Sequence, residues 1–235
     1  SSFGFSQDDF FVRLHYITYK NSDAKDVIEH EKKYWSKVHK ANIDSGSKIA
    51  WDMWEVQAPK EEGHTTFVYA HLEPINHPGM LGVNPQDIFS KDEWSSANKL
   101  RPKRVRSRGI ETVYKGGFVP AAGQKPTNYV VLNFMDVKKN AYEYEQMELN
   151  RFMPMHKKNK FIKGWGLHKV VYPLAMSFGQ DKTDYITADF YESYGDIMKR
   201  YSETPKPSNS PQTVPMGEVR ENLRQEVFKL VLSER

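Results

Sequence analysis

Residues 153–173 read MPMHKKNKFIKGWGLHKVVYP, and residues 36–56 read SKVHKANIDSGSKIAWDMWEV. Each stretch carries a His-Lys pair, then a tryptophan, then a run typical of a β-strand. The matched side chains are His39 and His156, 117 residues apart, and Trp51 and Trp165, 114 residues apart. We predict from this pair of stretches that the chain is a tandem repeat of one fold unit.

Similar spacings, of 118 or 114 residues, recur in other parts of the chain. The further matches are Val12 and Leu14 with Val130 and Leu132, Phe67, Ala70 and Leu72 with Tyr185, Ala188 and Phe190, and Arg106 with Arg220. Matches that keep one order over several strands and a helix are hard to obtain by chance. The three extra residues between His-Lys and tryptophan in the first copy fall in a predicted loop, where length varies easily.

Hydrophobic periodicity gives both copies the element order β-α-β-β-α-β, the ferredoxin-like arrangement. The first copy has predicted strands at 10–20, 48–57, 64–73 and 108–119, and helices at 26–41 and 87–100. The second has strands at 128–138, 163–173, 183–192 and within 218–233, and helices at 141–158 and 194–201. We expect Pro154 to kink or end its helix. The predicted organisation is a first repeat at 10–119, a linker at 120–127 and a second repeat at 128–235.

Composition excludes several classes of protein. The 235 residues contain no cysteine, which excludes disulfides, thiolate metal sites and cysteine nucleophiles. The net charge is only +4, and the one basic cluster, Arg101–Arg108, is predicted to be a solvated loop or helix end, with an anionic partner as the alternative. We therefore predict no nucleic-acid partner. No apolar run is long enough for a membrane span.

Residues 1–9, SSFGFSQDD, resemble the end of a secretory signal peptide. In particular they resemble the signal ends of exported proteins of the flavobacterial group. This pattern predicts a periplasmic or secreted protein. A disordered N-terminus of a cytoplasmic protein is the alternative.

The repeated element order and the His-Lys…Gly-Trp segment resemble the dimeric α+β barrel superfamily in its tandem, single-chain form. The resemblance covers residues 10 to 233, although Ala50 stands in the first copy where Gly164 stands in the second. It implies an α+β fold in which two ferredoxin-like βαββαβ repeats pack sheet to sheet as a pseudo-symmetric barrel. Known relatives include heme-degrading and antibiotic-biosynthesis monooxygenases, chlorite-dismutase-like heme proteins and members of unknown activity. Heme is therefore the cofactor to consider, although the residues alone predict none.

Strand alternation places side chains on two faces of each predicted sheet. We expect Leu14, Tyr16, Ala70, Leu72 and their second-copy partners to face the helices. The side chains then predicted to lie between the sheets are His15, His71, His168, Asn133, Asp189 and Trp54. This group is open to three interpretations: a hydrogen-bonded polar interface, a pocket for a small ligand, or a metal site. No short-range metal-ligand spacing supports the last, so we predict no metal.

Other candidate residues have a structural and a functional interpretation. His39 and His156 either complement helix dipoles or lie at a pocket mouth, where His156 would be an axial heme ligand. Trp51 and Trp165 belong either to the core or to a substrate platform. Arg106 and Arg220 are either surface residues or hold a carboxylate. The helix face formed by Tyr142, Glu143, Tyr144, Glu145 and Glu148 is predicted to be solvated.

Three functions remain open from the sequence. The first is an exported module that binds a small apolar or aromatic molecule. The second is an oxygenase-like enzyme that uses heme or no cofactor, with His15, His71, His168, His156 or Asp189 as ligand or base. The third is a structural or assembly protein without a ligand. A monomer and a homodimer are both compatible with the tandem arrangement.

Overall fold

The protein folds around eight strands. The computed structural model describes residues 10–76, 82–118, 124–138, 140–172, 182–203 and 216–235. The strands are β1 (Phe10–Lys20), β2 (Ala50–Ala58), β3 (His64–Pro74), β4 (Arg106–Gly117), β5 (Tyr129–Val137), β6 (Gly164–Tyr172), β7 (Tyr185–Tyr191) and β8 (Arg220–Glu234). Aromatic and β-branched residues dominate these segments, as in β1 (FFVRLHYITYK).

Helices connect the strands on the outside of the sheet. They are α1 (Ala24–His30), α2 (Ser36–Asp44), α3 (Pro85–Ile88), α4 (Lys91–Asn98), α5 (Ala141–Met147), α6 (Met153–Lys158), α7 (Tyr194–Ser202) and α8 (Met216–Val219). Five-residue π-helical turns join α1 to α2 (Glu31–Trp35) and α5 to α6 (Glu148–Phe152). Pro154 does not end its helix, because it lies in the first turn of α6, directly after the π turn.

The predicted fold class is wrong in its central feature. Two ferredoxin-like repeats packed sheet to sheet would give two separate four-stranded sheets, whereas the eight strands form one closed barrel in the order β1-β3-β2-β8-β5-β7-β6-β4. All neighbouring strands are antiparallel, and the pairs β2–β8 and β4–β6 join the two halves of the chain. The sequence pattern did not reveal these two pairings, because they connect strands that are distant in the chain only through edge-to-edge hydrogen bonds. Closure pairs both edges of every strand.

Both joining pairs contain register shifts, whereas the β1–β3 pair is regular. On β4 the second of two shifts lies between Tyr114 and Gly116, and Gly117 follows it. A Cβ atom on Gly117 would lie 2.1 Å from the carbonyl oxygen of Trp165, and Gly117 has a φ of +157°. Glycine at this position therefore allows the two backbones to approach and the barrel to close.

The barrel interior is apolar over most of its length. Among the described residues, its core contains side chains of β1 to β5, β7 and β8, including Leu14, Tyr16, Ala70, Leu132 and Phe134, and no helix residue. Two other clusters contain helix residues and lie on the outer face, one around Trp51 and one around Trp165. The predicted face assignment is therefore reversed: Leu14, Tyr16, Ala70 and Leu72 point into the barrel and do not face the helices.

The strands within each half pair in the same order, β4-β1-β3-β2 and β8-β5-β7-β6. The duplication itself and the repeat boundaries at 119 and 128 remain predictions. Residues 1–9, the last residue of the first repeat at 119 and the linker residues 120–123 lie outside the described residues. Within the described ranges, no helix is both long and apolar enough to span a membrane.

Candidate functional site

A histidine from a helix stacks on a buried tryptophan in each half of the chain. The His39 and Trp51 rings are 4.5 Å apart with 21° between their planes, and the His156 and Trp165 rings are 5.5 Å apart with 13° between theirs. Both indoles are fully buried. Of the two interpretations of the tryptophans, core packing is the one that these contacts support. His39 is also buried, so it is not an exposed helix cap.

Cross-strand pairing then brings a polar residue beside each tryptophan. Trp51 on β2 pairs with His71 on β3, and Trp165 on β6 pairs with Asp189 on β7. Directly opposed residues of antiparallel strands have Cβ atoms about 4.5–5.5 Å apart, so their side chains are neighbours. Each half thus has a tryptophan with a polar cross-strand neighbour on the outer face, and this neighbour is a histidine in the first half and an aspartate in the second.

Asp189 is the unusual group of the second half. Its side chain is buried, and its Oδ2 accepts a hydrogen bond of 3.3 Å from Asn133 Nδ2. Neither its Oδ1 nor the Nε1 of Trp165 has a hydrogen-bond partner among the described residues. Burial raises the pKa of Asp189 to about 7, since water no longer solvates the charged form. Buried polar atoms normally have partners, so these two indicate a place for water or a ligand.

A chain of amides and hydroxyls holds Asn133 in place. Its Nδ2 also donates to Thr187 Oγ1 at 3.1 Å, and its Oδ1 accepts from Gln225 Nε2 at 2.5 Å. Gln225 Nε2 is in turn 3.2 Å from the hydroxyl of Tyr201 on α7. The amide that contacts Asp189 is therefore fixed by a network that extends over the four elements β5, β7, β8 and α7.

The predicted solvation of the α5 face is wrong for two of its five residues. Tyr144 and Glu148 are buried, and Arg220 Nη1 donates to Glu148 Oε1 at 2.5 Å. Arg220 thus holds a carboxylate, one of the two roles considered for it. Burial raises the pKa of Glu148, and the Arg220 guanidinium partly offsets this effect.

Buried glutamates at the starts of the two π turns were not predicted. Glu31 and Glu148 each begin a π turn and are both buried. Burial raises the pKa of Glu31 to about 7, against the opposing effects of Tyr69 and Arg104. The sequence carried a signal for this pair, because they are 117 residues apart, the same spacing as His39 and His156. π turns in helices are frequent at functional sites.

The first half has a charged cluster at the corresponding place. Lys48 Nζ lies 2.7 Å from His71 Nδ1 and 3.6 Å from Glu73 Oε1, and Arg13 Nη2 lies 3.6 Å from Glu73 Oε2. Burial lowers the pKa of Lys48 to about 8, and burial together with the Lys48 charge keeps the pKa of His71 well below its usual value. Lys48 was not predicted as a site residue, because a lysine at the start of a strand is usually exposed.

The remaining predicted residues lie in other parts of the barrel. His15 is on the outer face of β1, with its Nε2 2.6 Å from Ser107 Oγ. Trp54 lies in the barrel interior, and His168, whose ring is 5.4 Å from that of Tyr114, alternates with the outward-facing Leu167. Arg106 is at one barrel end, where it pairs with Glu61. The six residues predicted to share one inter-sheet space are therefore divided, and Asn133 and Asp189 are the pair that is in contact.

Solved structures share this fold over nearly their whole length. A proposed monooxygenase from Fusobacterium nucleatum subsp. nucleatum has a TM-score of 0.64 at 8% identity, with 98% of this chain and 96% of that chain covered. An anthrone oxidase-like protein has a TM-score of 0.53 at 11% identity, with 97% and 94% covered. A heme-binding protein from Thermus thermophilus has a TM-score of 0.51 at 12% identity, with 94% and 91% covered.

No protein-family model and no curated protein sequence matches the chain. At these identities the structural likeness establishes the fold and not the activity. The chain therefore has a fold found in oxygenase-like and heme-binding proteins.

Four of the histidines considered as ligands have no slot for a heme in the described part of the chain. A porphyrin needs a flat slot beside a histidine nitrogen, but the space beneath His39 is filled by Trp51 and that beneath His156 by Trp165. His71 contacts the His39 ring at 5.3 Å, and His168 is enclosed in the barrel. No group of three or more metal-ligating side chains occurs in the part of the chain that the structure describes.

Proposed function

We propose that this chain is an oxygenase-like enzyme that binds a small aromatic molecule on the outer face of its second half and uses Asp189 as general base. The observation that carries the proposal is the buried Asp189 carboxyl, whose Oδ1 lacks a partner among the described groups and lies on the strand position opposite Trp165. A carboxyl with a pKa of about 7 suits proton transfer at neutral pH, because it is a stronger base than an ordinary aspartate and is still half ionised.

The proposed reaction needs no cofactor. Asp189 Oδ1 takes a proton from an activated CH₂ group beside an aromatic ring, and the resulting carbanion is electron-rich enough to react with O₂. The carbon gains one oxygen atom and loses two hydrogens to become a carbonyl, while the other oxygen atom leaves as water. Atoms and electrons are therefore balanced with O₂ as the one co-reactant. The structural likeness to an anthrone oxidase-like protein supports this substrate class.

Two neighbouring groups are given roles in the proposal. The Trp165 indole N–H is a donor that can stabilise the negative charge on the substrate oxygen as the proton leaves. Asn133, which Thr187 and Gln225 hold in place, keeps the Asp189 carboxyl oriented. His156 stays outside the proton transfer, because burial lowers its pKa to about 4 and its ring packs on Trp165.

Turnover of a panel of anthrones tests the proposal. The wild-type protein is mixed with each compound in air, and O₂ uptake is measured together with formation of the carbonyl product by mass spectrometry. We expect turnover that falls as the pH drops below about 7, where Asp189 is protonated. Asp189→Asn should lose a factor of roughly 10² or more, the usual contribution of a general base. Asp87→Asn, which changes an exposed carboxyl on α3, should keep the wild-type rate.

Equal rates for the wild type and Asp189→Asn would overturn the catalytic role. Binding without turnover would favour the module that only binds a small aromatic molecule, and it is detected as thermal stabilisation, since a ligand at 100 times its Kd adds about 2.7 kcal/mol. Absence of both binding and turnover would favour a structural protein.

Export to the periplasm or the medium is a further part of the proposal, supported by the signal-like residues 1–9. N-terminal sequencing of the protein from a fractionated native host tests it. A mature chain that starts within this stretch, recovered outside the cytoplasm, is the expected result. Recovery only in the cytoplasm with an uncleaved N-terminus would contradict export.

A further inference from the structure

A second candidate site lies at one end of the barrel. A pocket of about 200 Å³ opens where β1, β4 and β8 meet the turn between β2 and β3, and its lining includes Tyr16, Val56, Pro59, Arg108 and Glu226. Tyr16 belongs to the interior core, so this pocket is reached from the inner face of the sheet. Asp189 lies on the outer face, and the two sites are therefore separate.

The base of the pocket is a charged cluster around the buried side chains of Tyr16 and Glu226. The Tyr16 hydroxyl donates to Glu226 Oε2 at 2.7 Å, and Arg224 Nε donates to Glu226 Oε1 at 3.0 Å. Arg108 Nη2 is 3.6 Å from the same Oε1. Tyr16 and Glu226 are 2% and 4% exposed, so the cluster is built into the barrel and is not a surface contact.

The charges of this cluster favour an anion. Two guanidinium groups, of Arg108 and Arg224, face the one carboxylate of Glu226, so the three side chains together carry one excess positive charge. A guanidinium presents five N–H donors in a planar fork that matches a carboxylate. Arg108 is 38% exposed and lines the pocket, so a ligand can reach it from the open side.

The size and the walls of the pocket limit the rest of the ligand. Val56 and Pro59 form an apolar wall beside the charged base. A cavity of about 150 Å³ is sufficient to bind benzene, whereas drug-sized ligands occupy roughly 300–1,000 Å³. A volume of about 200 Å³ therefore suits one ring or a short branched chain with one small substituent.

We propose that this barrel-end pocket binds a small organic carboxylate, with the carboxylate on the Arg108 guanidinium and the organic group against Val56 and Pro59. The site is independent of the proposed reaction at Asp189. Its ligand is distinguished from an aromatic substrate by its required negative charge and by its small size.

Calorimetric titration with benzoate, and with benzamide as its neutral analogue of the same shape, tests the proposal. Benzoate should bind the wild type at least roughly tenfold more tightly than benzamide, because a charged hydrogen-bonded contact is lost with the amide. Arg108→Gln should weaken benzoate binding by roughly tenfold to a hundredfold. Arg101→Gln, which removes an exposed arginine near β4, should bind benzoate as the wild type does.

Two further measurements separate this site from the one at Asp189 and guard against misfolding. Benzoate should still bind Asp189→Asn with the wild-type Kd, whether or not that variant is active. In the wild-type protein, benzoate should shift the NMR signals of the Val56 methyl groups and the His64 ring, which both line the pocket. Equal binding of benzoate and benzamide, or shifts confined to other residues, would overturn the proposal even if Arg108→Gln does not fold.

Discussion

Replacing Asp189 with asparagine should change how the stability of the protein depends on pH. Burial raises the pKa of Asp189 from its ordinary value of 3.8 to about 7 in the folded protein. Between these two values the unfolded chain has released the proton and the folded chain still holds it. The free energy of unfolding therefore falls as the pH rises from about 4 to about 7, and this contribution is constant at higher pH. An asparagine at the same position has no proton to release and makes no such contribution.

The size of the effect follows from the two pKa values. Their difference corresponds to about 4 kcal/mol, because each pH unit between them contributes about 1.4 kcal/mol. Urea denaturation of both proteins at about pH 4, 6 and 8 gives the difference in unfolding free energy at each pH. From about pH 4 to about pH 8, the unfolding free energy of Asp189→Asn should increase by about 4 kcal/mol relative to that of the wild type. Buried groups that do not interact with Asp189 contribute equally to both proteins and cancel.

An exposed aspartate provides the control for this experiment. Asp87→Asn makes the same substitution at an exposed position on α3. A difference between Asp189→Asn and the wild type that stays constant over the whole pH range would refute the reasoning. Such a result would mean that the Asp189 carboxyl is solvated or fully paired in the folded protein.

Three other outcomes are expected. Gly117→Ala should destabilise the protein by several kcal/mol in urea denaturation, because its Cβ would meet the Trp165 carbonyl oxygen. The control is Gly63→Ala, where no atom lies near the new Cβ and the change should cost only about 1 kcal/mol for the φ of +74°. Equal losses of stability would contradict the close approach at Gly117. The free energy of unfolding of the wild type should rise between pH 8 and 10.5, because the unfolded chain binds a proton on Lys48 there that the folded chain has released. Lys48→Met should remove this rise. A variant with the same pH profile as the wild type would place Lys48 in solvent. Hemin added to the wild type and to His156→Ala should give the same absorption spectrum, because the His156 ring is packed on Trp165. A Soret band present only in the wild type would show that the His156 ring leaves Trp165 and binds the heme.

Local features of this fold could be predicted from the sequence, but barrel closure could not. The first strand was predicted at 10–20 and observed at Phe10–Lys20, because its aromatic and β-branched residues are bounded by a clear turn. Closure depends on the β2–β8 and β4–β6 pairs, which form through backbone hydrogen bonds and leave no side-chain periodicity to detect. Alternation separates two faces of a strand but does not tell which one points inward, and both faces are apolar here.

The candidate site was predictable only in part for the same reason. Asp189 and Asn133 were correctly placed on one face, since they follow the strand period on neighbouring strands. The six-residue group to which they were assigned was not correct, because His168 and Trp54 point into the barrel. Glu226 and Arg108 were missed because their partners are distant in the chain: Tyr16 is 210 residues from Glu226, and only the closed barrel brings them together.

NMR titration of the aspartate side chains tests the central claim most directly. Protein labelled with ¹³C at the aspartate carboxyl carbons is titrated from about pH 4 to pH 9, and Asp189→Asn identifies the Asp189 signal. We expect this signal to titrate near pH 7 in the wild type and to be missing from the variant. A signal that completes its titration below about pH 5, close to the ordinary range of aspartate, would contradict a buried carboxyl that accepts protons at neutral pH.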